Sequence, residues 1–342
     1  MKIANAEAYR CPACNTSLKL EISAVSDENV LEGEFECANG HKFSITDGIP
    51  DFIWPKELAL IDEETRQLYE KLADEYEKFA LFPFWTFKSD EYEVRAQMAD
   101  KLNLNENSIV LEIGAGDGRG AEHIVKRLGE NGQFYVQELS SAFLKKSFNR
   151  LKEHNKIIEY SIANAMYLSF PDNFFDSAFH FGGLNNFSDI KQCLKELVRV
   201  VKHGGKIVVG DESMAPWLRD TDMGKIMSNS NPLMKHVLPL EAIPVEARNV
   251  KIEWIMMGGY YTIEFTVGEG APEANYHIPI PSERGGTHWT RYYGNLEGVS
   301  DEVKKLAHQA RRKAGMSMHD WLETIIRSAA KEDKTIIFPR TL

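Results

Sequence analysis

The sequence has little of several features that mark particular classes of protein. Its 342 residues contain no apolar run near the roughly 18 residues that a membrane-spanning helix requires. The first residues, MKIANAEAYRCPAC, lack an apolar stretch of signal-peptide length, so we expect a cytoplasmic protein that does not bind membranes. Basic residues are fewer than acidic ones, 40 against 51, and this net charge of −11 disfavours a broad electrostatic contact with nucleic acid.

Cysteine is also scarce, but three of the four cysteines stand near the start of the chain. Cys11 and Cys14 form a C-x2-C pair, and Cys37 and His41 form a C-x3-H pair. Two such pairs have the ligand spacing of a zinc ribbon, in which each turn presents two ligands to one tetrahedral ion. Four protein ligands close the coordination sphere, so a structural zinc is expected. The alternative is a reduced C-x-x-C redox pair, which leaves Cys37 and His41 unexplained.

The segment CPAC…CANGHKFSITDGIPDFI resembles the short zinc ribbon of the Trm112-like family, including its I-x-D-G-I-P ending. It is also similar to the ribbon that precedes certain bacterial rRNA guanine methyltransferases. The sequence departs from the Trm112-like pattern at His41, which stands where a final cysteine is usual. Acidic residues outnumber basic ones in this segment, which makes it a poor surface for RNA.

After residue 55 the apolar pattern alternates between the periods of strands and helices. We predict helices over 57–80, over 89–102, over 141–153 and from a cap at Ser188 through residue 202. We predict strands over 108–113, 133–139, 157–162, 176–181 and 206–210. Gly258-Gly259 predicts a two-residue turn between strands 250–257 and 260–267. This order indicates a parallel α/β sheet with helices on both faces, finished by an antiparallel hairpin.

Two acidic residues flank a glycine-rich turn in this pattern. The first strand ends at Glu112 and runs into GAGDGRG, in which Arg119 occupies the last glycine position of a dinucleotide-binding motif. Glu112 would repel a pyrophosphate but suits an amine. Glu138 ends the next strand, where a carboxylate can accept ribose hydroxyls. The pocket is therefore predicted to hold a nucleoside with an amine and no phosphates, such as S-adenosylmethionine. The alternative is that the glycines form only a tight turn.

The stretches VLEIGAGDGRG, YVQELS, ANAMYLSFPDNFFDSAF and LKELVRVVKHGGKIVVGDE resemble, in order, the motifs of class I S-adenosylmethionine-dependent methyltransferases of the type 11 or UbiE-like group. The resemblance covers about 62–267. It implies a Rossmann-like seven-stranded sheet whose last strand is antiparallel. We divide the chain into a zinc ribbon (1–55), a methyltransferase domain (56–267), an irregular acceptor-side or packing segment (268–299) and a helical hairpin tail (300–342).

The resemblance implies cofactor-binding roles for eleven residues at the methionine, ribose, adenine and sulfonium positions. They are Glu112, Gly114, Ala115, Gly116, Glu138, Leu139, Asn164, Ala165, Phe181, Gly182 and Tyr76. Glu112 would hold the amino group and Glu138 the ribose. Asn164 stands where the family usually has aspartate, and a strand-end cap is its alternative role. Tyr76 lies in a segment that resembles the N-terminal lid of members acting on small molecules, and a core position is its alternative.

Methyl transfer from a sulfonium is an in-line displacement, so a general base is needed only if the acceptor must lose a proton. The candidate general bases, by position or by residue type, are His180, Asp211, Glu212 and His288. The alternative for each is a surface or structural role. The segment 268–299 is predicted to form an acceptor-site wall, and a packed arm or dimer contact is the alternative. Its candidate substrate-binding residues are Arg284, His288, Trp289, Arg291 and Tyr292.

The tail is predicted to form two helices, capped by Ser300 and Ser317 and separated by Gly315. It resembles the helix pair of ribbon-helix-helix proteins over about 30 residues, and we expect it to pack on its own core or on a second copy. The sequence as a whole predicts a methyltransferase that uses S-adenosylmethionine and acts on a small molecule. An rRNA or tRNA base methyltransferase is one alternative, and a regulator that binds the cofactor without catalysis is another.

Overall fold

The computed structural model describes residues 1–154, 158–283, 285–294, 296 and 299–332. The chain divides into two compact units, one up to Pro272 and one from Glu273 onward. Among the described residues, none of the helices combines the length and apolar character needed to cross a lipid bilayer.

The N-terminal segment folds into a four-stranded antiparallel sheet. Its strands, which are neighbours in chain order, are β1 (Leu18–Ser26), β2 (Asn29–Cys37), β3 (Lys42–Thr46) and β4 (Ile49–Pro50). Alternate residues of β2 and β3 are buried, because successive side chains of a strand point to opposite faces. Phe35 and Phe43 are the large buried side chains of this face, and both rings pack within 5.6 Å of the Phe52 ring.

A seven-stranded sheet forms the centre of the first unit. Its strands are β5 (Ile109–Ile113), β6 (Gln133–Glu138), β7 (Ile158–Ile162), β8 (Phe175–Phe181), β9 (Val201–Glu212), β10 (Ala247–Ile255) and β11 (Tyr260–Val267). The order across the sheet is β10-β11-β9-β8-β5-β6-β7. Strands β5 to β9 pair in parallel, whereas β11 is antiparallel to β9 and β10. This topology confirms the predicted class I methyltransferase fold.

Helices cover both faces of this sheet, because its strands are apolar on both sides. Neighbouring residues Val110 and Leu111 of β5 belong to two different apolar cores. The helices of this unit are α1 (Leu60–Leu72), α2 (Phe82–Thr86), α3 (Glu91–Asp100), α4 (Arg119–Val125), α5 (Ser141–Arg150), α6 (Ile190–Val200) and α7 (Asp222–Ser230). One core includes Cys193 and Leu194 of α6, and the other includes Ile124 of α4.

Three local predictions were wrong. Helix α6 is capped by Asp189, whose side chain accepts from the amide of Gln192, whereas both the amide and the hydroxyl of Ser188 donate to Asp62. The helix ends at Val200, two residues before the predicted end at 202, and the β-branched Val201 begins strand β9, which was predicted to begin at 206. The hairpin between β10 and β11 has a four-residue turn over 256–259 in place of a two-residue turn.

The N-terminal sheet packs against the outer edge of the main sheet at β7. The Phe52 amide donates to the carbonyl of Ile162 over 2.8 Å, and Asp51 and Ile162 form a parallel bridge. The Tyr9 ring lies 5.5 Å from that of Phe170. The two sheets therefore share one continuous apolar core.

The second unit contains a helical hairpin, as predicted. Its helices are α8 (His288–Tyr293), α9 (Asp301–Lys313) and α10 (Met318–Glu332). The hydroxyls of Ser300 and Ser317 accept from the amides of Val303 and Asp320, so both predicted caps are present. The guanidinium of Arg311 is buried and lies 4.9 Å from the centres of two tyrosine rings of α8.

Candidate active site and metal centre

A cavity of about 340 Å³ lies at the carboxyl ends of β5, β6, β8 and β9. In open α/β sheets, ligands bind at this edge where the strand order reverses, which here is between β5 and β8. The structure brings together around the cavity all eleven residues that were predicted to bind the cofactor, from Tyr76 to Gly182. Their common location follows from the parallel strands, whose carboxyl ends meet at one edge.

The glycine-rich turn after β5 forms one wall of the cavity. Gly114, Gly116 and Gly118 have φ angles of 58°, 58° and 83°, in the left-handed region that favours glycine. The turn continues directly into α4, whose N-terminal residues Arg119 and Gly120 also line the cavity. Gly114 and Gly116 therefore present backbone without a side chain to the cavity.

Glu138 connects the end of β6 to the glycine-rich turn. Its carboxylate accepts from the amide of Gly116 (2.8 Å) on one oxygen and from the amides of Leu139 (2.8 Å) and Ser140 (3.0 Å) on the other. A carboxylate has about four acceptor positions, so one stays open for a ligand hydroxyl. Burial raises the pKa of Glu138, while these three hydrogen bonds favour its charged form.

Glu112 is the second buried carboxyl of the cavity and is only 3% exposed. Within the part of the chain that the structure describes, its Oε2 atom has no hydrogen-bond partner. Burial raises the pKa of Glu112 to about 8, because the charged form has lost its hydration. An unpaired buried carboxyl is costly on its own, and a cationic or hydrogen-bonding ligand group would relieve that cost.

Asn164 lies beyond the end of β7 with both polar groups of its side chain bonded. Its Nδ2 donates to the Trp54 carbonyl (3.1 Å), and its Oδ1 accepts from the Met166 amide (3.1 Å). These bonds have the form of the strand-end cap that was the alternative role. Because Oδ1 has two lone pairs, it can still accept one further bond from a ligand.

His180 and Asp211 are held by the protein backbone. His180 Nδ1 lies 2.8 Å from the Ile113 carbonyl, which only accepts, so we assign the proton to Nδ1. Its Nε2 is buried without a partner among the described residues, and burial lowers the pKa of the ring. Both carboxylate oxygens of Asp211 accept backbone amides, from Gly183 and Asn185. Burial raises the pKa of Asp211.

The segment that begins with α1 covers the cavity from the N-terminal side. Asp62 is buried and accepts from the amide (3.0 Å) and the hydroxyl (2.6 Å) of Ser188. The rings of Tyr69 and Tyr76 both pack on Phe143, at centroid distances of 5.4 and 4.9 Å. Sequence analysis missed Asp62, because nothing in its local sequence distinguishes it from the other acidic residues of α1.

The part of the cavity beside β9 and β11 is mostly apolar. It is lined by aromatic and aliphatic side chains, which include Phe84, Phe181, Leu233, Met256 and Tyr260. Glu212 is the acidic residue among them. Its Oε1 accepts from the Tyr260 hydroxyl over 2.8 Å. The sequence predicted Glu212 only as one of several candidate bases and did not single out Tyr260.

The candidate substrate residues of the irregular segment belong to the second unit, whereas the cavity is lined by residues of the first. Arg284 lies outside the described residues. His288, Trp289, Arg291 and Tyr292 form helix α8 with their neighbours, and Arg291 donates to the Gly285 carbonyl (3.0 Å) and the Ser282 hydroxyl (2.7 Å). Their substrate-binding role, and the catalytic role of His288, stay predictions.

Cys11, Cys14, Cys37 and His41 form one cluster whose ligand atoms all lie within 4.8 Å of one another. His41 Nδ1 lies 3.3, 3.6 and 3.7 Å from the sulfurs of Cys37, Cys11 and Cys14. Cys14 and Cys37 sulfurs are 3.9 Å apart. A tetrahedral zinc with bonds of about 2.3 Å to sulfur spaces its sulfurs by about 3.8 Å, so the donor set fits zinc in number, type and spacing.

Tight turns place these ligands. Asn15 (φ 55°) follows the first pair and its amide donates to the Cys11 carbonyl, and Gly40 (φ 79°) makes the corresponding turn with Cys37. A hydrogen bond from the Thr16 hydroxyl lowers the pKa of the Cys14 thiol to about 5, which favours the thiolate that metals bind.

Two glycines with similar backbone conformation are expected to respond differently to substitution by alanine. Gly118 and Gly182 have φ angles of 83° and 85°, so both variants incur about 1–2 kcal/mol of left-handed strain. A methyl group at Gly118 would also lie 3.0 Å from the Ser147 backbone, whereas one at Gly182 meets no protein atom within 4 Å. Urea unfolding should show Gly118→Ala to be less stable than Gly182→Ala by about 1–3 kcal/mol. Equal losses would contradict this.

Comparison with known proteins gives a consistent result for the central part of the chain. Residues 58–222 match the model of the ubiE/COQ5 methyltransferase family. The ubiquinone/menaquinone biosynthesis C-methyltransferase UbiE of Chromobacterium violaceum is 37% identical over 100 residues, which are 29% of this chain and 41% of that protein. UbiE of Laribacter hongkongensis is 38% identical over the same shares. The chain thus spans less than half the length of these relatives.

Solved structures of methyltransferases are also similar. An S-adenosylmethionine-dependent methyltransferase from Aquifex aeolicus has a TM-score of 0.41 at 17% identity and covers 58% of this chain and 98% of its own. Phosphoethanolamine N-methyltransferase 2 of Haemonchus contortus, in complex with S-adenosylmethionine, has a TM-score of 0.48 at 14% identity, with coverages of 64% and 62%.

Proposed function

We propose that this protein transfers a methyl group from S-adenosylmethionine to a small-molecule acceptor, because residues 58–222 match the ubiE/COQ5 methyltransferase family model and the main sheet has the class I methyltransferase topology. The observation that carries the proposal is the pair of buried carboxyls, Glu112 and Glu138, at neighbouring strand ends of one cavity. They suit a ligand with an ammonium group and ribose hydroxyls, and they would repel phosphates.

The residues around the cavity fit this cofactor. Glu112, whose Oε2 has no partner among the described residues, would hold the amino group of the methionine portion. Glu138 would accept a ribose hydroxyl at its remaining acceptor position. The backbone at Gly114 and Gly116 would lie along the methionine portion, and Asn164 would face the adenine. When bound, S-adenosylmethionine supplies an electrophilic methyl group on a sulfonium.

The remaining task of the protein is to orient the acceptor and exclude water. The apolar side of the cavity, with Phe84, Phe181 and Tyr260, would hold an apolar acceptor, and aromatic faces tolerate positive charge near the reacting methyl group. The UbiE relatives are named for ubiquinone and menaquinone biosynthesis, which supports a small organic acceptor. We further propose that the Cys3His cluster holds a structural zinc, since all four ligand positions are protein atoms.

A labelled-methyl assay tests this function. Purified protein is incubated with S-adenosylmethionine carrying a labelled methyl group and with fractions of a cell extract. We expect label in the small-molecule fraction. Label confined to RNA would favour the base-methyltransferase alternative. In that case the binding of RNA to the protein should also depend steeply on salt concentration. Cofactor binding by calorimetry without transfer to any fraction would favour a regulator and contradict the proposed activity.

A further inference from the structure

Glu212 and Tyr260 face each other across two neighbouring strands. Glu212 is the last residue of β9 and Tyr260 the first residue of β11, and the strand register pairs them directly. Strands β6 and β9 are three positions apart in the sheet, about 14 Å at the usual strand spacing. The pair therefore lies at the end of the cavity away from Glu138, where an acceptor would meet the methyl group.

The Glu212 carboxyl is held by Tyr260. The Tyr260 hydroxyl donates to its Oε1 over 2.8 Å. The Tyr260 ring packs in turn against Phe87 and Phe181, each at a centroid distance of 5.9 Å. Such packing holds the carboxyl in one orientation, as a proton acceptor requires.

Glu212 also differs from the other acid–base candidates of this unit in accessibility. It is half-buried and lines the cavity. Asp211 is fully buried, and both of its carboxylate oxygens accept backbone amides. The unprotonated Nε2 of His180 is buried as well. Of these three groups, Glu212 is the one whose carboxyl can contact a molecule in the cavity without rearrangement.

We propose that Glu212 takes the proton that the methyl acceptor loses, and that Tyr260 is a positioning residue for Glu212. This rests on the proposed function and adds that the reacting acceptor atom carries a proton. The acceptor atom forms its bond to the methyl carbon, the carbon–sulfur bond breaks with its electron pair on sulfur, and the acceptor's proton passes to the Glu212 carboxylate. The proton then leaves to solvent when product departs.

The charges around Glu212 suit this role near neutral pH. Burial and the neighbouring Asp211 raise the pKa of Glu212 to about 7, and the hydrogen bond from Tyr260 and the nearby side chain of Asn231 oppose this rise. The other titratable groups that act on it are the phenols of Tyr69 and Tyr76, whose pKa values are raised by burial, so they stay neutral. Methyl transfer should therefore increase as pH rises through about 7 and Glu212 becomes a carboxylate.

The test uses Glu212→Gln and Tyr260→Phe in the full chain, with the acceptor fraction from the labelled-methyl assay. Glu212→Gln keeps the shape but cannot take a proton, so kcat should fall by about 10²–10⁴-fold. Tyr260→Phe removes one bond that lowers the pKa of Glu212, so the midpoint of its pH–rate profile should move to higher pH. Cofactor affinity, measured by calorimetry, should change less than about twofold in both variants. The exposed Glu122→Gln serves as a matched control.

A Glu212→Gln variant with wild-type kcat and intact cofactor affinity would overturn the inference and leave the proposed function standing. An unmoved pH midpoint in Tyr260→Phe would overturn the positioning role. If Glu212→Gln fails to fold, Glu212→Asp replaces it, and a wild-type pH–rate profile in that variant would count against the inference. Wild-type protein that binds cofactor but labels no fraction would instead overturn the proposed function.

Discussion

Replacing Glu138 by alanine is expected to weaken S-adenosylmethionine binding by more than about a hundredfold. The carboxylate is the proposed acceptor for a ribose hydroxyl, and a hydrogen bond to a charged group contributes about 1.5–3 kcal/mol. A loss of about 3 kcal/mol corresponds to a hundredfold change in affinity. The carboxylate also accepts the amides of Gly116, Leu139 and Ser140, so the variant in addition loses the bonds that hold the glycine-rich turn in its binding conformation. Isothermal titration calorimetry measures the effect directly.

Two further variants separate binding from stability. Glu138→Gln keeps one acceptor oxygen and should lose less affinity than the alanine variant. Glu122→Ala removes an exposed carboxylate that pairs with Lys126 on α4, and its affinity should equal that of the wild type. Circular dichroism should show all three variants folded. Wild-type affinity in a folded Glu138→Ala variant would exclude this carboxylate from the cofactor site.

Removing a ligand of the Cys3His cluster is expected to abolish metal binding and to destabilise the first unit. Cys37→Ser should contain almost no zinc, and its thermal midpoint should fall by about 10 °C or more, because structural zinc contributes most of the folding free energy of small zinc modules. A chelator should give the same shift in the wild-type protein. Elemental analysis and thermal unfolding measure both effects.

Cys193 provides the matched control. It is a fully buried residue of α6 and lies apart from the cluster in sequence, so Cys193→Ala should keep its zinc while losing some stability. Zinc lost equally from both variants would show that metal content follows general unfolding. Zinc retained in Cys37→Ser would contradict the assigned ligand set.

The common location of the predicted cofactor residues around one cavity follows from local features of the sequence. Glu138 is the last residue of β6 and Glu112 the last but one of β5, and parallel strands bring such ends together at one edge. The Cys3His cluster was equally accessible to prediction, since each pair of its residues lies within one turn of the chain. For these residues, the spacing along a short stretch of sequence was sufficient to predict which side chains lie close together.

The side of the cavity beside β9 and β11 depends on contacts between residues far apart in the chain. The hydrogen bond from Tyr260 to Glu212 joins residues 48 positions apart, and it exists because β11 inserts between β9 and β10. Asp62 binds Ser188 across 126 positions, and this contact moved the predicted helix cap to Asp189. The spacing of residues within one segment of the sequence gives no information about the order and register of strands or about contacts between distant segments.

Outer strands of open sheets expose unpaired backbone groups that can recruit another chain, a common route to aggregation. Strand β7 is the outer strand on its side of the main sheet. The N-terminal sheet covers this strand: residues 51 and 52 extend the hydrogen bonding at Ile162, and the Asn5 side chain donates to Glu159 over 2.6 Å. Loss of the proposed zinc would weaken the packing of the N-terminal sheet on β7. The protein should therefore aggregate more readily in concentrated solution when zinc is removed.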